Sequence, residues 1–371
     1  MKRTLVGLLA VGTLAGAAWA ADATAPFKLG SFERNGKRFV GVVLRDELVI
    51  DLAAADAAVS EPPRVGPPMD MKDMIARYHE GLRARILTIV ARVEAAASRP
   101  AYVMELARVR TLPPIVYPTT MLNVAVNYRE HGLEMAGRSV NSPGALPSGQ
   151  PGGSAPGMAA PGTTSIPGVW ARKPDDARWN PYMFVKLPSA VIASGEPIRL
   201  PPGRTQIDWE CELGIVIGRE ARQVEVERAA DYIFGYTLEN DVSDRAGRGD
   251  GRHGSDWLIA KSHDTFAPLG PFVVPREFVA DPQKLGVRFT LNGQVMQDSS
   301  TSLMIHDVYE LVAYASHIAT LRPGDVIAAG TPPGVGSGRT PPIFLKAGDL
   351  ATCTYEGIGT LRNPVTEAES R

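Results

Sequence analysis

From Met183 to its C-terminus the chain is a succession of short apolar runs punctuated by Gly and Pro, with one helical run over residues 306–320. Runs of this length between turn residues read as strands, and many strands with one helix require a core made between sheets. A predominantly β catalytic region is therefore expected. The 371 residues allow one large or two medium domains. With 44% hydrophobic and 21% charged residues, wholesale disorder and a fibrous fold are excluded. Lys+Arg 39 against Asp+Glu 40 leaves a net charge of −1, so neither nucleic acid nor an anionic membrane is indicated as a partner.

The N-terminus reads as an address. Lys2 and Arg3 precede an uncharged apolar run over residues 4–18, and Ala18-Trp19-Ala20 fits a small-x-small cleavage site. A signal peptide over residues 1–20 is expected, with a secreted or periplasmic mature protein. No later segment has an apolar run long enough to span a bilayer. Two cysteines, Cys211 and Cys353, exclude a disulfide framework and a thiolate zinc cluster. They could pair in an oxidising compartment. Both sit in apolar strand-like runs, however, and two buried free thiols are expected.

Residues 27–32, 38–44 and 47–52 read as a small β meander turned by Asn35-Gly36. Residues 71–97 read as one amphipathic helix capped by Asp70. Its core stripe is Met71, Met74, Ile75, Tyr78, Leu82, Ile86, Ile89, Val90 and Val93. Thr111-Leu112-Pro113-Pro114 marks a linker. The expected division is a small N-terminal α+β domain over residues 21–115 and a catalytic domain over residues 116–371. Residues 139–168 are dominated by Gly, Pro, Ser and Ala, which marks a surface insertion, either passive or a lid.

The chemistry is concentrated in a few places. In Asp208-Trp209-Glu210-Cys211-Glu212-Leu213 the strand period of two puts Glu210 and Glu212 on one face. Paired carboxylates are unfavourable unless something positive lies between them, and a hard divalent cation suits that place. The alternative is a solvated strand face with alternating Glu. Asp241, at the end of another strand-like run, could complete a three-carboxylate site for Mg²⁺ or Mn²⁺. His131 and Glu134 are three apart and share a helical face, so the carboxylate could orient the imidazole as a base. Lys261 could reach a developing oxyanion or simply snorkel to solvent. Residues 330–336 form a Gly/Pro loop rich in backbone donors.

In chain order these motifs resemble the fumarylacetoacetate hydrolase family, with its acylpyruvate hydrolase-like and 2-hydroxyhepta-2,4-diene-1,7-dioate isomerase-like members. The resemblance rests on Asn127-Tyr128-x-x-His131-x-x-Glu134, Phe184-x-Lys186-x-Pro188-Ser189 and Asp208-x-Glu210-x-Glu212-Leu213. It continues through Asn240-Asp241-Val242-Ser243, Lys261-Ser262-x-Asp264-Thr265 and Asn292-Gly293 to Gly330-Thr331-Pro332-x-Gly334-Val335-Gly336. It implies a mainly β (α+β) mixed β-sandwich roll, a homodimer, and one Mg²⁺ or Mn²⁺ held by Glu210, Glu212 and Asp241. It also implies a His131–Glu134 catalytic dyad with Lys261 beside the metal. Tyr128, Arg245 and Thr331 take substrate-binding roles by position. Arg248 stands where many members have Gln, so the grip on substrate differs and suits a more anionic acid.

The resemblance points to a metal-dependent hydrolase that cleaves a C–C bond in acylpyruvate-like 2-oxo or 1,3-dicarbonyl acids. Decarboxylation or isomerisation at the same site is the runner-up. An exported dicarboxylate-binding module without turnover is the reading from another class, and the His131–Glu134 pair argues against it, since binding alone needs no base.

Overall fold

The computed structural model describes residues 26–136, 164–246 and 256–368. The expected signal peptide, most of the expected insertion and Arg248 lie outside these residues. Among the described residues no helix is long and apolar enough to cross a membrane.

The N-terminal region is a five-stranded sheet in the order β4-β3-β2-β1-β5. Its strands are β1 (Phe27–Arg34), β2 (Lys37–Leu44), β3 (Leu48–Asp51), β4 (Val103–Glu105) and β5 (Arg110–Thr111). Asn35 and Gly36 both take positive φ, 52° and 73°, as a primed hairpin turn requires. The short helix α1 (Leu52–Ala58) follows β3 and is capped by Asp51. The single helix expected over residues 71–97 is broken. It becomes α2 (Met71–Arg77), capped by Asp70, a 3₁₀ turn over Tyr78–Glu80, and α3 (Leu82–Glu94). The break falls at Gly81, whose φ of 112° is left-handed and whose Cα side lies against Val65. A Cβ there would come within 2.9 Å of Val65. The apolar stripe is buried across the break as far as Val90, with Val93 packed at its edge.

The rest of the chain is sheet. β6 (Met121–Ala125) runs into the helix α4 (Arg129–Met135), then come β7 (Tyr182–Val185), β8 (Val191–Ile192), β9 (Ile198–Leu200) and β10 (Ile207–Asp208). The long central pair is β11 (Cys211–Ile217) and β12 (Ile233–Asn240), followed by β13 (Ser243–Asp244) and the one-turn helix α5 (Trp257–Lys261). β14 (Ala267–Pro268), β15 (Val274–Pro275), β16 (Gly286–Leu291) and β17 (Gln294–Ser300) precede α6 (Val308–Ile318). β18 (Val326–Ala328), β19 (Leu350–Tyr355) and β20 (Gly359–Glu367) end the fold. Two large sheets result, β15-β12-β11-β18-β6-β7 and β17-β16-β19-β20-β9, with the two-stranded pairs β10-β13 and β14-β8 beside them. They share one apolar core that includes Trp209, Leu213, Ile215, Phe289, Val287, Ala351 and Leu361. This is the expected mainly β, α+β architecture.

α6 is shorter than the helical run expected over residues 306–320. It starts where Asp307 and Glu310 form a reciprocal capping box. The N-terminal sheet is not isolated. Its helices bury their stripe in an apolar cluster that also takes in Met121, Val216, Phe234, Leu269 and Val326 from the larger unit.

The two cysteines do not stay free. Cys211 on β11 and Cys353 on β19 form a disulfide, with Cα atoms 5.4 Å apart. Apolar flanks predicted burial correctly, since both residues are almost fully buried. What they could not show is that the sheets bring the two strands face to face within bonding reach.

Candidate active site

Three carboxylates meet at the end of the central strand pair. Glu210 immediately precedes β11, Glu212 is its second residue, and Asp241 immediately follows β12. The antiparallel register pairs Cys211 with Asn240, and Asp241 N–H donates to the Glu210 carbonyl at 2.8 Å, which aligns the two strand ends. Glu210, Glu212 and Asp241 each present an oxygen within 4.8 Å of the others, and all three are buried.

Cations hold this cluster together. Lys261 Nζ, at the C-terminal end of α5, donates to Glu210 Oε2 and to Asp241 Oδ2, both at 2.6 Å. Lys186 donates to Asp241 Oδ1 and, at 3.1 Å, to the Val242 carbonyl. Arg245 spans Asp208 and Glu210, with Nε to Asp208 Oδ2 at 2.8 Å and Nη2 to Glu210 Oε1 at 2.6 Å. Burial disfavours ionisation of Glu210, but Lys261, Arg245 and His131 outweigh it and hold the carboxyl well below its ordinary range. Glu212 goes the other way: burial, then Asp241, Glu210 and Glu239, push it well above that range. Its Oε2 accepts from the backbone N–H of Gly330 at 2.9 Å. Burial also pushes Glu239 up to about 8, against the pull of Lys186.

The donor set fits a hard divalent cation. Asp208, Glu210, Glu212, Glu239 and Asp241 gather round Lys186, Arg245 and Lys261, and like charges in this buried place raise Glu212 and Glu239. An oxygen-only triad whose carboxyls repel one another suits Mg²⁺ or Mn²⁺, which would favour their ionised forms.

His131 and Glu134 lie on α4, the short helix that starts one turn beyond β6. Val126, at the turn between them, holds a left-handed φ of 55°, an outlier for a β-branched residue. His131 Nδ1 faces Glu134 Oε2 at 3.3 Å. The Glu134 carboxylate is gripped in turn by the Gly334 N–H, at 3.0 and 3.1 Å from its two oxygens. Gly338 passes so close that a Cβ there would lie 2.0 Å from Glu134 Cγ. The Gly/Pro loop thus seats the dyad, and it also anchors Asp208, which accepts from Gly336 N–H at 2.6 Å and Ser337 N–H at 3.0 Å. The loop that grips Glu134 also grips Asp208, and Asp208 shares Arg245 with Glu210, so a continuous set of contacts links the dyad to the carboxylate cluster.

The remaining expected residues lie around it. Tyr128 is fully buried at the N-cap of α4, and burial pushes its hydroxyl pKa far up. Thr331 Oγ1 accepts from Gln297 Nε2 at 2.8 Å and donates to the Cys211 carbonyl at 3.3 Å. Arg245 faces Asp208 and Glu210 as described, and Arg248 is outside the described residues. Lys186, Asp208, Glu239 and Gln297 also stand at this cluster, which spacing did not reveal. A lysine just after an apolar strand, as Lys186 is, and a glutamate inside one, as Glu239 is, were the available signals.

Residues 120–366 match the family described as fumarylacetoacetate (FAA) hydrolase C-terminal. The chain belongs to the fumarylacetoacetate hydrolase family. It is 43% identical over 185 residues to a mitochondrial oxaloacetate tautomerase of Xenopus laevis, a match covering 50% of this chain and 58% of that protein. The chain therefore spans little more than half the length of that relative. Among solved structures it resembles a 5-carboxymethyl-2-hydroxymuconate delta-isomerase from Mycobacterium smegmatis, at 31% identity and a TM-score of 0.61. That likeness covers 92% of this chain and all of the other. Maleylpyruvate hydrolase from Sphingobium sp. SYK-6, solved with manganese and pyruvate, is 27% identical with a TM-score of 0.64, again over 92% and 100%. The relatives thus include isomerases, tautomerases and hydrolases.

Proposed function

We propose that this chain is a divalent-metal-dependent enzyme that interconverts the keto and enol forms of a 2-oxo acid. The observation that carries the reading is the His131–Glu134 dyad joined, through the Gly/Pro loop, Asp208 and Arg245, to the buried Glu210, Glu212 and Asp241 cluster. The sequence reading put C–C hydrolysis first. The relatives named as tautomerase and isomerase move proton transfer ahead of it.

Glu210, Glu212 and Asp241 would hold the cation. When bound there, a divalent cation supplies Lewis acidity to neighbouring carbonyl and carboxylate oxygens. His131 takes a proton from the carbon beside the 2-oxo group and returns it to the enolate oxygen to complete the enol, and Glu134 keeps the ring in position and offsets its charge in between. Gly334 fixes Glu134, so the base is oriented before substrate arrives. Lys261, kept protonated by Asp241 and Glu210 despite its burial, offsets negative charge as it develops on the substrate oxygen.

Hydrolysis is the second reading, favoured by the structural likeness to maleylpyruvate hydrolase. The same dyad would then take its proton from water, and a C–C bond would break. As part of the same proposal the protein works in an oxidising compartment, which the Cys211–Cys353 disulfide supports.

The test is mass spectrometry and proton NMR of oxaloacetate and a panel of acylpyruvates incubated with the protein and Mg²⁺ or Mn²⁺. Loss of the enol signal at unchanged mass supports tautomerisation. Two carbon fragments support hydrolysis, and CO₂ release a decarboxylase. Metal-dependent binding with every ligand unchanged would overturn the enzyme reading in favour of a binding module.

A further inference from the structure

Residues 170–181 run from Trp170 to Pro181 and reach across two parts of the fold that the reaction needs held together. This segment is bolted to α6 and to the residues before it by Trp170 and Arg178. Arg178 forks onto Glu310, with Nη1 to Oε2 at 2.9 Å and Nη2 to Oε1 at 2.7 Å. Its Nη1 also donates to the Ile305 carbonyl at 2.9 Å. The Trp170 ring meets the rings of His306 and Tyr314 edge-on, with centroids 5.7 and 5.8 Å apart. His306 Nε2 lies 2.5 Å from the Trp179 carbonyl, so Nε2 carries the proton and donates it there.

The side chain of Trp179, the residue after Arg178, lies on α4. A Cβ at Gly132 would meet the outer atoms of the Trp179 ring at 3.4 Å and Val126 Cγ1 at 2.8 Å. Gly132 follows His131 directly, so the indole packs on the turn that carries the base. The segment is tied to the start of α4 by a second route. Asn127, two residues before the helix, accepts from His306 N–H at 2.9 Å and donates to the His306 carbonyl at 3.0 Å. The Trp179 carbonyl, the Asn127 side chain and the Trp170 indole therefore all converge on His306.

α4 needs such support. It is seven residues long, less than an isolated helix requires to persist in water. No N-cap side chain serves it. It also begins beside the strained Val126.

We propose that Trp179 is a positioning residue for the His131–Glu134 dyad, acting by pressing on Gly132 from a segment anchored to α6 through Arg178 and His306. The proposal deepens the function given above and rests on that reading for its catalytic meaning. Its structural claim, that Trp179 orders α4, stands apart from it.

The experiment uses the full chain with Trp179→Ala, Trp179→Leu and Trp179→Phe, read by amide hydrogen exchange and by steady-state turnover with Mn²⁺. Exchange in α4 should rise about tenfold or more in Trp179→Ala and Trp179→Leu while β11 exchanges as in the unmodified protein. Trp179→Phe should restore most of the protection. Turnover should show kcat lower by about 10- to 100-fold, as expected for a base displaced by a fraction of an ångström to an ångström. KM and Mn²⁺ affinity should stay within about threefold of the original, which a general loss of folding would not produce. Unchanged α4 exchange in both Trp179→Ala and Trp179→Leu would overturn the proposal, and so would a uniform rise across α4 and β11. If the unmodified protein turns over none of the acids, the function reading fails, and the exchange measurement still decides whether Trp179 holds the helix.

Discussion

Cys211 is bonded to Cys353 and stands between Glu210 and Glu212, so the disulfide ties the strand that bears these carboxylates to the opposite sheet. The Cys211 backbone is equally engaged: its N–H donates to Gln297 Oε1 at 3.2 Å, and its carbonyl accepts from Thr331 and Tyr355. The bond closes a loop with a sequence separation of 142, long enough to restrict the unfolded chain substantially. Cys353→Ala is expected to lower stability by roughly 2–4 kcal/mol. Urea unfolding of the variant, and of the unmodified protein with dithiothreitol, should give the same lowered midpoint. An unshifted midpoint would show that the bond does not form.

The carboxylate cluster should make stability depend on metal. Mn²⁺ at a hundred times its dissociation constant is expected to add about 2.7 kcal/mol, since it binds only the folded chain. EDTA should remove the gain, and Glu212→Gln should reduce it by replacing one of the three carboxylates with an uncharged amide. Glu212 is the better choice than Glu210 because Glu210 also anchors Lys261 and Arg245. Thermal unfolding with and without metal measures the difference.

Glu239 sets a pH dependence in the metal-free protein. Its folded pKa of about 8 lies above the ordinary 4.5, so the folded state keeps a proton that the unfolded state releases. Its contribution is therefore fully present below about 4.5 and is lost as pH rises towards 8, with a slope of up to about 1.4 kcal/mol per unit. Glu239→Gln cannot titrate and should flatten that slope. Denaturant midpoints measured from pH 5 to pH 8.5 decide it; equal slopes in both proteins would exclude Glu239 as the source.

The dyad and its seat should separate catalysis from metal binding. His131→Ala is expected to lower kcat by about 10²- to 10⁴-fold, the range for a general base. Gly338→Ala should also lower kcat, because its Cβ would lie 2.0 Å from Glu134 Cγ and must displace that carboxylate. Mn²⁺ affinity by calorimetry should be retained in both. Full activity in Gly338→Ala would mean that Glu134 can move without consequence.

Local sequence rules determined a good part of this protein. Strand periodicity placed Glu210 and Glu212 together, Asn35-Gly36 and Asp70 marked a turn and a cap, and His131 and Glu134 fell one helical turn apart. Each of these depends on residues within about four positions, where backbone geometry is set by the chain itself. The helix expected over residues 71–97 failed at Gly81, because a stripe of apolar residues can continue across a left-handed residue while the hydrogen-bonded helix stops. Tertiary structure alone decided that Cys211 meets Cys353, that Gly334 grips Glu134, and that the Trp179 ring rests on Gly132. These partners are tens to hundreds of residues apart, and only the packing of one sheet on another, and of a segment on a helix, brings them within van der Waals or hydrogen-bond reach.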